Sequence, residues 1–216
     1  MARSPEQSLR HHALVLLRHP TPWVVVPWFL AALGVRIAMG RWTWRDLAIP
    51  VVIVALQPFT EWVIHVTLLH FRPRIVMGRR VDLHVAREHR RHHLDPKDVA
   101  LTLVPLPELL ALVVGVTVVA WPVAIDHRDA LTVMATVAAV LGTYEWTHYL
   151  IHSGYRPRSR HARSIFRSHR LHHFRNEHYW MGVTSNLADR VLGTFPQKLD
   201  VPLSDTARTL GIDQPS

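Results

Sequence analysis

The stretch "EHRRHHLD", residues 88–95, places three histidines in five positions: His89, His92 and His93. Much later "SHRLHHFR", residues 168–175, repeats the spacing with His169, His172 and His173. Positions i, i+3 and i+4 share one side of a helix, so each box gathers its imidazoles on one face. Upstream of each box lies a histidine pair: "EWVIHVTLLH" (61–70) holds His65 and His70, and "EWTHYLIH" (145–152) holds His148 and His152. The second pair is spaced i, i+4. The first is i, i+5, about 140° apart on a regular helix, so its rings meet only if the helix ends, bulges or unwinds there. A pair followed by a three-histidine box thus occurs twice, an internal repeat that a twofold arrangement of helices would explain.

Ten imidazoles in groups of two, three, two and three would repel one another if protonated. A metal removes the problem, because each neutral ring offers it one lone pair. Ten nitrogens are too many for one ion and suit two, each with about four to six ligands. The chain has no cysteine, so any metal sits on nitrogen and oxygen, and imidazole by itself does not choose between iron, zinc, copper and nickel. A basic surface helix accounts for one box but not for two boxes and two pairs. Isolated histidines are ordinary surface or core residues. His11, His12, His19, His127 and His161 are read that way, the first two as interfacial surface, and His84 is open to either reading.

The rest of the chain supplies the setting. It is 49% hydrophobic yet carries a formal charge of +9. Four apolar runs, about 22–39, 47–69, 103–125 and 130–151, each approach the roughly 20 residues needed to cross a bilayer, and a domain of this size cannot bury four such helices on all sides. Pro105, Pro107 and Pro122 make the third run the least regular and start its helix near Pro107. If all four runs span, 21 of the 25 lysines and arginines fall on one side. The positive-inside rule then puts both termini and the 71–98 loop in the cytoplasm. The expected fold is an all-α integral membrane protein of about four transmembrane helices, with a cytoplasmic helical cap carrying the histidine-rich di-metal site. Residues 1–196 form one domain and 197–216 a polar C-terminal tail with no visible site. The first twenty residues lack a cleavable signal pattern. Nucleic-acid binding is set aside, because the basic residues coincide with the positive-inside side.

These boxes carry a family resemblance. The chain resembles the fatty acid hydroxylase superfamily of membrane non-haem di-metal oxygenases, sterol desaturases included, and is nearest in pattern to fatty acid 2-hydroxylases. "HRRHHLDPKDVALTLVPLP" is similar to the second box and its continuation, and "HRLHHFRNEHYWMGVTSNLADRVLGT" to the fourth box and the segment after it. The match covers about residues 50–196. It implies that His65, His70, His89, His92, His93, His148, His152, His169, His172 and His173 are the ligands of two metal ions, iron for catalysis, with zinc able to occupy the same sites, and that dioxygen is co-substrate. Ala188 stands where the family usually has Trp. No cytochrome b-type domain precedes the boxes, so the resemblance implies a separate electron-transfer protein, cytochrome b-type or ferredoxin-like.

Ligating imidazoles usually donate their other N–H to a nearby acceptor. Asn186 and Asp189 are candidates to orient ligand rings, as are Asp95 and Asp98. Glu61 and Glu145 precede histidine pairs inside apolar runs, where a carboxylate needs a partner, and are read as supporting residues; His178 is a further candidate. The expected activity is hydroxylation of a lipid C–H bond on a fatty acyl chain reached from the membrane, favoured as the bacterial cytoplasmic membrane. The alternatives are sterol or carotenoid hydroxylation or desaturation, and a non-catalytic membrane metal-binding protein.

Overall fold

The computed structural model describes residues 8–212; the end of the expected tail lies outside them. The elements run α1 (Leu9–Leu16), α2 (Pro20–Ala38), α3 (Arg45–Ile64) continued by a π-helical turn (His65–Leu69), β1 (Arg74–Val76), β2 (Arg79–Val81), α4 (His84–Leu94), α5 (Val99–Thr102), α6 (Leu106–Val123), α7 (His127–His152), α8 (Arg160–Phe174) and α9 (Leu187–Val191). The all-α expectation needs one correction. β1 and β2 form an antiparallel hairpin about a two-residue turn, Met77 and Gly78, both at positive φ, the geometry that matches strand twist.

Among the described residues, three segments are long and apolar enough to cross a membrane: Pro20–Ala38, Arg45–Leu69 and Val99–Val123. Their apolar side chains largely face outward, as Leu30, Val52 and Val118 do, which is the pattern of a membrane protein and would be a large exposed apolar surface in water. The third run breaks at 103–105 and its long helix begins at Leu106 with Pro107 in the first turn, close to the expected start.

The fourth run is different. It forms α7, which packs against α2, α3 and α6 and buries Asp129, Thr132, Glu145 and His148 along with its apolar residues. A helix surrounded by apolar neighbours has less need of an apolar surface, and α7 is not among the three segments with spanning hydropathy.

At the end of the bundle away from the histidine boxes, Arg36 makes a two-pronged pair with Asp46 (Nε–Oδ1 2.7 Å, Nη2–Oδ2 2.6 Å). Thr132 Oγ1 donates to Asp46 at 3.0 Å, so one carboxylate ties α2, α3 and α7 together. A bidentate pair is the form in which a buried charge is best compensated.

Candidate metal centre

The histidine groups converge from α3, α4, α7 and α8 into two sets of five. His65, His70, His89, His93 and His172 form one; His92, His148, His152, His169 and His173 form the other. All ten predicted ligand residues are therefore brought together. Each set combines the pair of one half with the first and third histidines of the same half's box, and takes the middle histidine of the opposite box. Helical geometry explains the exchange. Relative to His89, His93 is rotated by about +40° and His92 by about −60°, so the two neighbours diverge by about 100° and face different sets. His172 and His173 do the same on α8.

The i, i+5 pair converges through the π-turn. His70 N donates to the His65 carbonyl at 3.0 Å, the i+5 bond that widens the helix by one residue, and the two rings lie 4.9 Å apart. π-Turns of this kind concentrate at functional sites.

The residues fit a metal. Within each set the ligand atoms all lie within 4.8 Å of one another; two nitrogens on one ion at about 2.1 Å lie at most about 4.2 Å apart. Eight of the ten rings (all but His65 and His89) carry a buried nitrogen with no hydrogen-bond partner among the described residues. His65 and His89 point Nε2 at each other at 3.2 Å, and His169 and His173 do so at 3.1 Å. Buried polar atoms left in this state are costly, and a cation at the focus of the lone pairs satisfies them together.

The electrostatics keep the rings in the ligating form. Burial, reinforced by neighbouring imidazoles, holds His89, His92, His169, His172 and His173 well below the ordinary 6.5. Burial pushes His93 down to about 3, outweighing the upward pull of a carbonyl. An unfolded chain takes up protons on these rings as pH falls through 6.5, while the folded chain does not until near pH 3 for His93. Stability of the metal-free protein is therefore full above about pH 6.5 and declines below it. A thermal melt of chelator-treated protein should fall steadily from pH 7 to pH 5, and a melt flat over that range would contradict the assignment.

The groups that orient the rings are backbone carbonyls. His65 Nδ1 is 2.6 Å from Met181 O, His93 Nδ1 2.8 Å from Ala207 O, and His172 Nδ1 2.9 Å from Tyr179 O. Donation from Nδ1 leaves the Nε2 lone pair for a metal. The expected orienting side chains act one step further out. Asp189 accepts from Met181 N, Gly182 N and Thr194 Oγ1. Glu61 accepts from Val183 N, Thr184 N and Thr184 Oγ1. Together they pin the loop that supplies Met181 O. Asn186 bonds Ser168 and Ser164 on α8, and Glu145 holds Val104 N at the break before α6. Asp98 caps α5 and Asp95 receives Lys97 N. His178 lies at the surface, 3.5 Å from Glu177, in a cleft that it shares with His70.

Three further features were not read from the sequence. Arg90 and Arg170 occupy equivalent places in the two boxes. Arg90 bonds Phe71 O and Asp82, and Arg170 bonds Ile151 O at 3.0 Å, so each ties its box to the end of the preceding pair. His12, expected at the surface, is buried and 3.0 Å from the Tyr149 hydroxyl; His84 is bonded to Glu108 instead of a metal set. The tail, read from the sequence as polar and without a visible site, is packed through residue 210. Val201, Ala207 and Leu210 are buried, Arg208 bonds the carbonyls of His93 and Leu94, and the buried Glu177 accepts from Thr206 at 2.5 Å. Deleting residues 201–216 removes the acceptor of His93, and loss of such an acceptor weakens metal binding about 10–100-fold. Chelator competition on the truncated chain measures this, and wild-type retention would refute a role for the tail.

Comparison with known proteins agrees with the geometry. The chain is 26% identical over 202 residues to a dihydroceramide fatty acyl 2-hydroxylase of Arabidopsis thaliana, covering 82% of this chain and 72% of that one. It is 28% identical over 144 residues to a fatty acid 2-hydroxylase of Homo sapiens, covering 66% of this chain and 38% of the human one. Among solved structures, the hydroxylase domain visible in full-length scs7p superposes with a TM-score of 0.70 at 21% identity, over 86% of this chain and 68% of that one, a likeness of fold. Residues 50–194, which contain every one of the ten histidines, match the fatty acid hydroxylase family, and the chain belongs to that family of oxygen-dependent lipid hydroxylases.

Proposed function

We propose that this protein is a membrane-bound di-iron oxygenase that hydroxylates a fatty acyl chain at the carbon next to its carbonyl. The observation that carries the reading is the pair of largely buried five-imidazole sets, the ligand atoms of each lying within 4.8 Å of one another. The ten histidines hold the metals, with iron as the native ion. Two reduced metal ions supply what no side chain offers, activation of dioxygen toward an unactivated C–H bond. The chain supplies the rest. The carbonyls of Met181, Tyr179 and Ala207 fix ring tautomers, Asp189 and Glu61 hold the loop beneath them, and the packed tail keeps water from one face of the site. Electrons come from a cytochrome b-type or ferredoxin-like donor.

α7 acts as the fourth span, shielded by its neighbours, with both termini and the histidine cap in the cytoplasm and the acyl chain arriving from a bacterial cytoplasmic membrane. The 2-hydroxylase names of the relatives support the position oxidised. Lipid mass spectrometry of cells with and without the chain tests this. The expected product is an acyl lipid heavier by one oxygen atom, with fragments locating the hydroxyl at carbon 2. Metal-loaded protein, supplied with dioxygen and reductant, that yields no oxygenated lipid would overturn it.

A further inference from the structure

A cavity of about 470 Å³ lies between α2, α3 and α7, with mainly apolar walls. On α3 it is lined by Asp46, Pro50, Val54 and Gln57, a stripe at i, i+4, i+8 and i+11. On α7 the wall is Thr132, Ala135, Ala139 and Thr143, again one stripe. Phe29, Leu33 and Arg36 of α2 complete it. Three single-faced stripes make a groove parallel to the helices, and eleven residues of helical rise give it a length of about 16 Å. Val54 and Ala139 are exposed, so the groove opens sideways through the wall of the bundle.

Its two ends differ. The floor is polar and closed: Arg36, paired with Asp46 and lying 4.2 Å from the Trp42 ring, with Thr132 bonded to the same carboxylate. The upper end is Gln57 and Thr184, bonded to each other at 3.0 Å and both to Glu61, one helical turn before His65. Thr143 lies five residues before His148, about 8 Å along the axis. The groove thus runs from about 12 Å below His65 and about 8 Å below His148, in helical rise, to a buried ion pair.

The geometry points to this groove as the seat of the substrate's acyl tail, with the Arg36–Asp46–Trp42 floor setting the longest chain accepted. The inference rests on the proposed acyl hydroxylation. With the oxidised carbon at the metals, the methylenes beyond it must leave the site through apolar surroundings, and this groove leads away from them. Its uncharged walls take methylenes at any depth. At its floor a methyl terminus meets an already paired guanidinium that gains nothing from further contact.

Ala139 stands roughly a third of the way down, and its methyl leaves room that an aromatic ring would fill. Ala139→Phe should cut hydroxylation of long saturated chains at least tenfold relative to short ones, read as the product ratio from an equimolar chain-length mixture. Val51→Phe, on the outward face of α3, should leave the ratio unchanged. The inference is overturned by an unchanged ratio in Ala139→Phe, by equal loss at every length, or by the same shift in Val51→Phe. A second measurement is independent of turnover and of the variant's folding. A fatty acyl substrate with a terminal diazirine should cross-link in the wild-type protein to peptides containing Leu33 or Ala135. Cross-links found only elsewhere, or equal yields from a diacyl phospholipid bearing the same tail, would assign the groove to bulk lipid and overturn the inference. Absence of any hydroxylated lipid from the wild type, with cross-linking intact, would instead count against the proposed reaction.

Discussion

His92→Ala is expected to abolish the hydroxylated product, by well over about 100-fold, since loss of a proposed ligand exceeds the 10–100-fold typical of losing its supporting partner. The informative part is where the metal is lost. His92 is on α4, in the first half of the chain, yet its set contains His148, His152, His169 and His173. The variant is expected to lose the ion held by the second half and keep most of the other. His172→Ala is the mirror case, on α8 but in the set of His65, His70, His89 and His93. Metal analysis alongside spectroscopy of the remaining ion reads both. His84→Ala, which removes an exposed ring paired with Glu108, should leave metal content and product unchanged. Loss of the same ion in both box variants would contradict the exchange.

Asp189→Ala is expected to be the most damaging change outside the ligands. Asp189 is fully buried. Burial pushes its carboxyl up, and the hydroxyl of Thr194 and the N–H groups of Gly182 and Met181 pull it back. Removing it strands two backbone donors and takes the acceptor from the Thr194 hydroxyl, in a buried loop. At about 1–3 kcal/mol for each stranded group, the loss is of order 3 kcal/mol or more, and Met181 O shifts away from His65. A chemical denaturation midpoint and metal content measured together test this. A midpoint within the error of the wild type would refute it. The same loop explains Gly182. A Cβ there would meet Ser185 O at 2.1 Å and Asp189 Oδ2 at 3.0 Å, so Gly182→Ala should displace the backbone that Asp189 holds and reproduce part of the same loss.

The two boxes and two pairs were legible because imidazole is rare and its helical spacing is a direct statement about a face. The i, i+5 spacing even required the irregularity found between His65 and His70. The orienting groups were not legible. Met181 O, Tyr179 O and Ala207 O are backbone atoms, which every residue carries, so no side chain marks them. Asp189 and Glu61 were singled out for their acidity, and what they hold is a loop, because the rings already have acceptors. The tail read as carrying no site because its composition is polar, yet three small or apolar residues, Val201, Ala207 and Leu210, are buried and seat it. The fourth run read as a span from its length, yet α7 lacks the hydropathy of the other three segments because much of its surface meets other helices.

The π-turn has a further consequence, visible when the two halves are aligned. His65 to His148 is a separation of 83 residues and His70 to His152 one of 82, so the first pair carries one extra residue between its histidines. A single inserted residue in a helix ordinarily swings everything after it by about 100°. Here the wider turn absorbs it, and both rings still meet the same set. Deleting one residue from 66–69 would therefore restore the i, i+4 spacing of the second pair. The helix, and not the site, takes up the extra residue.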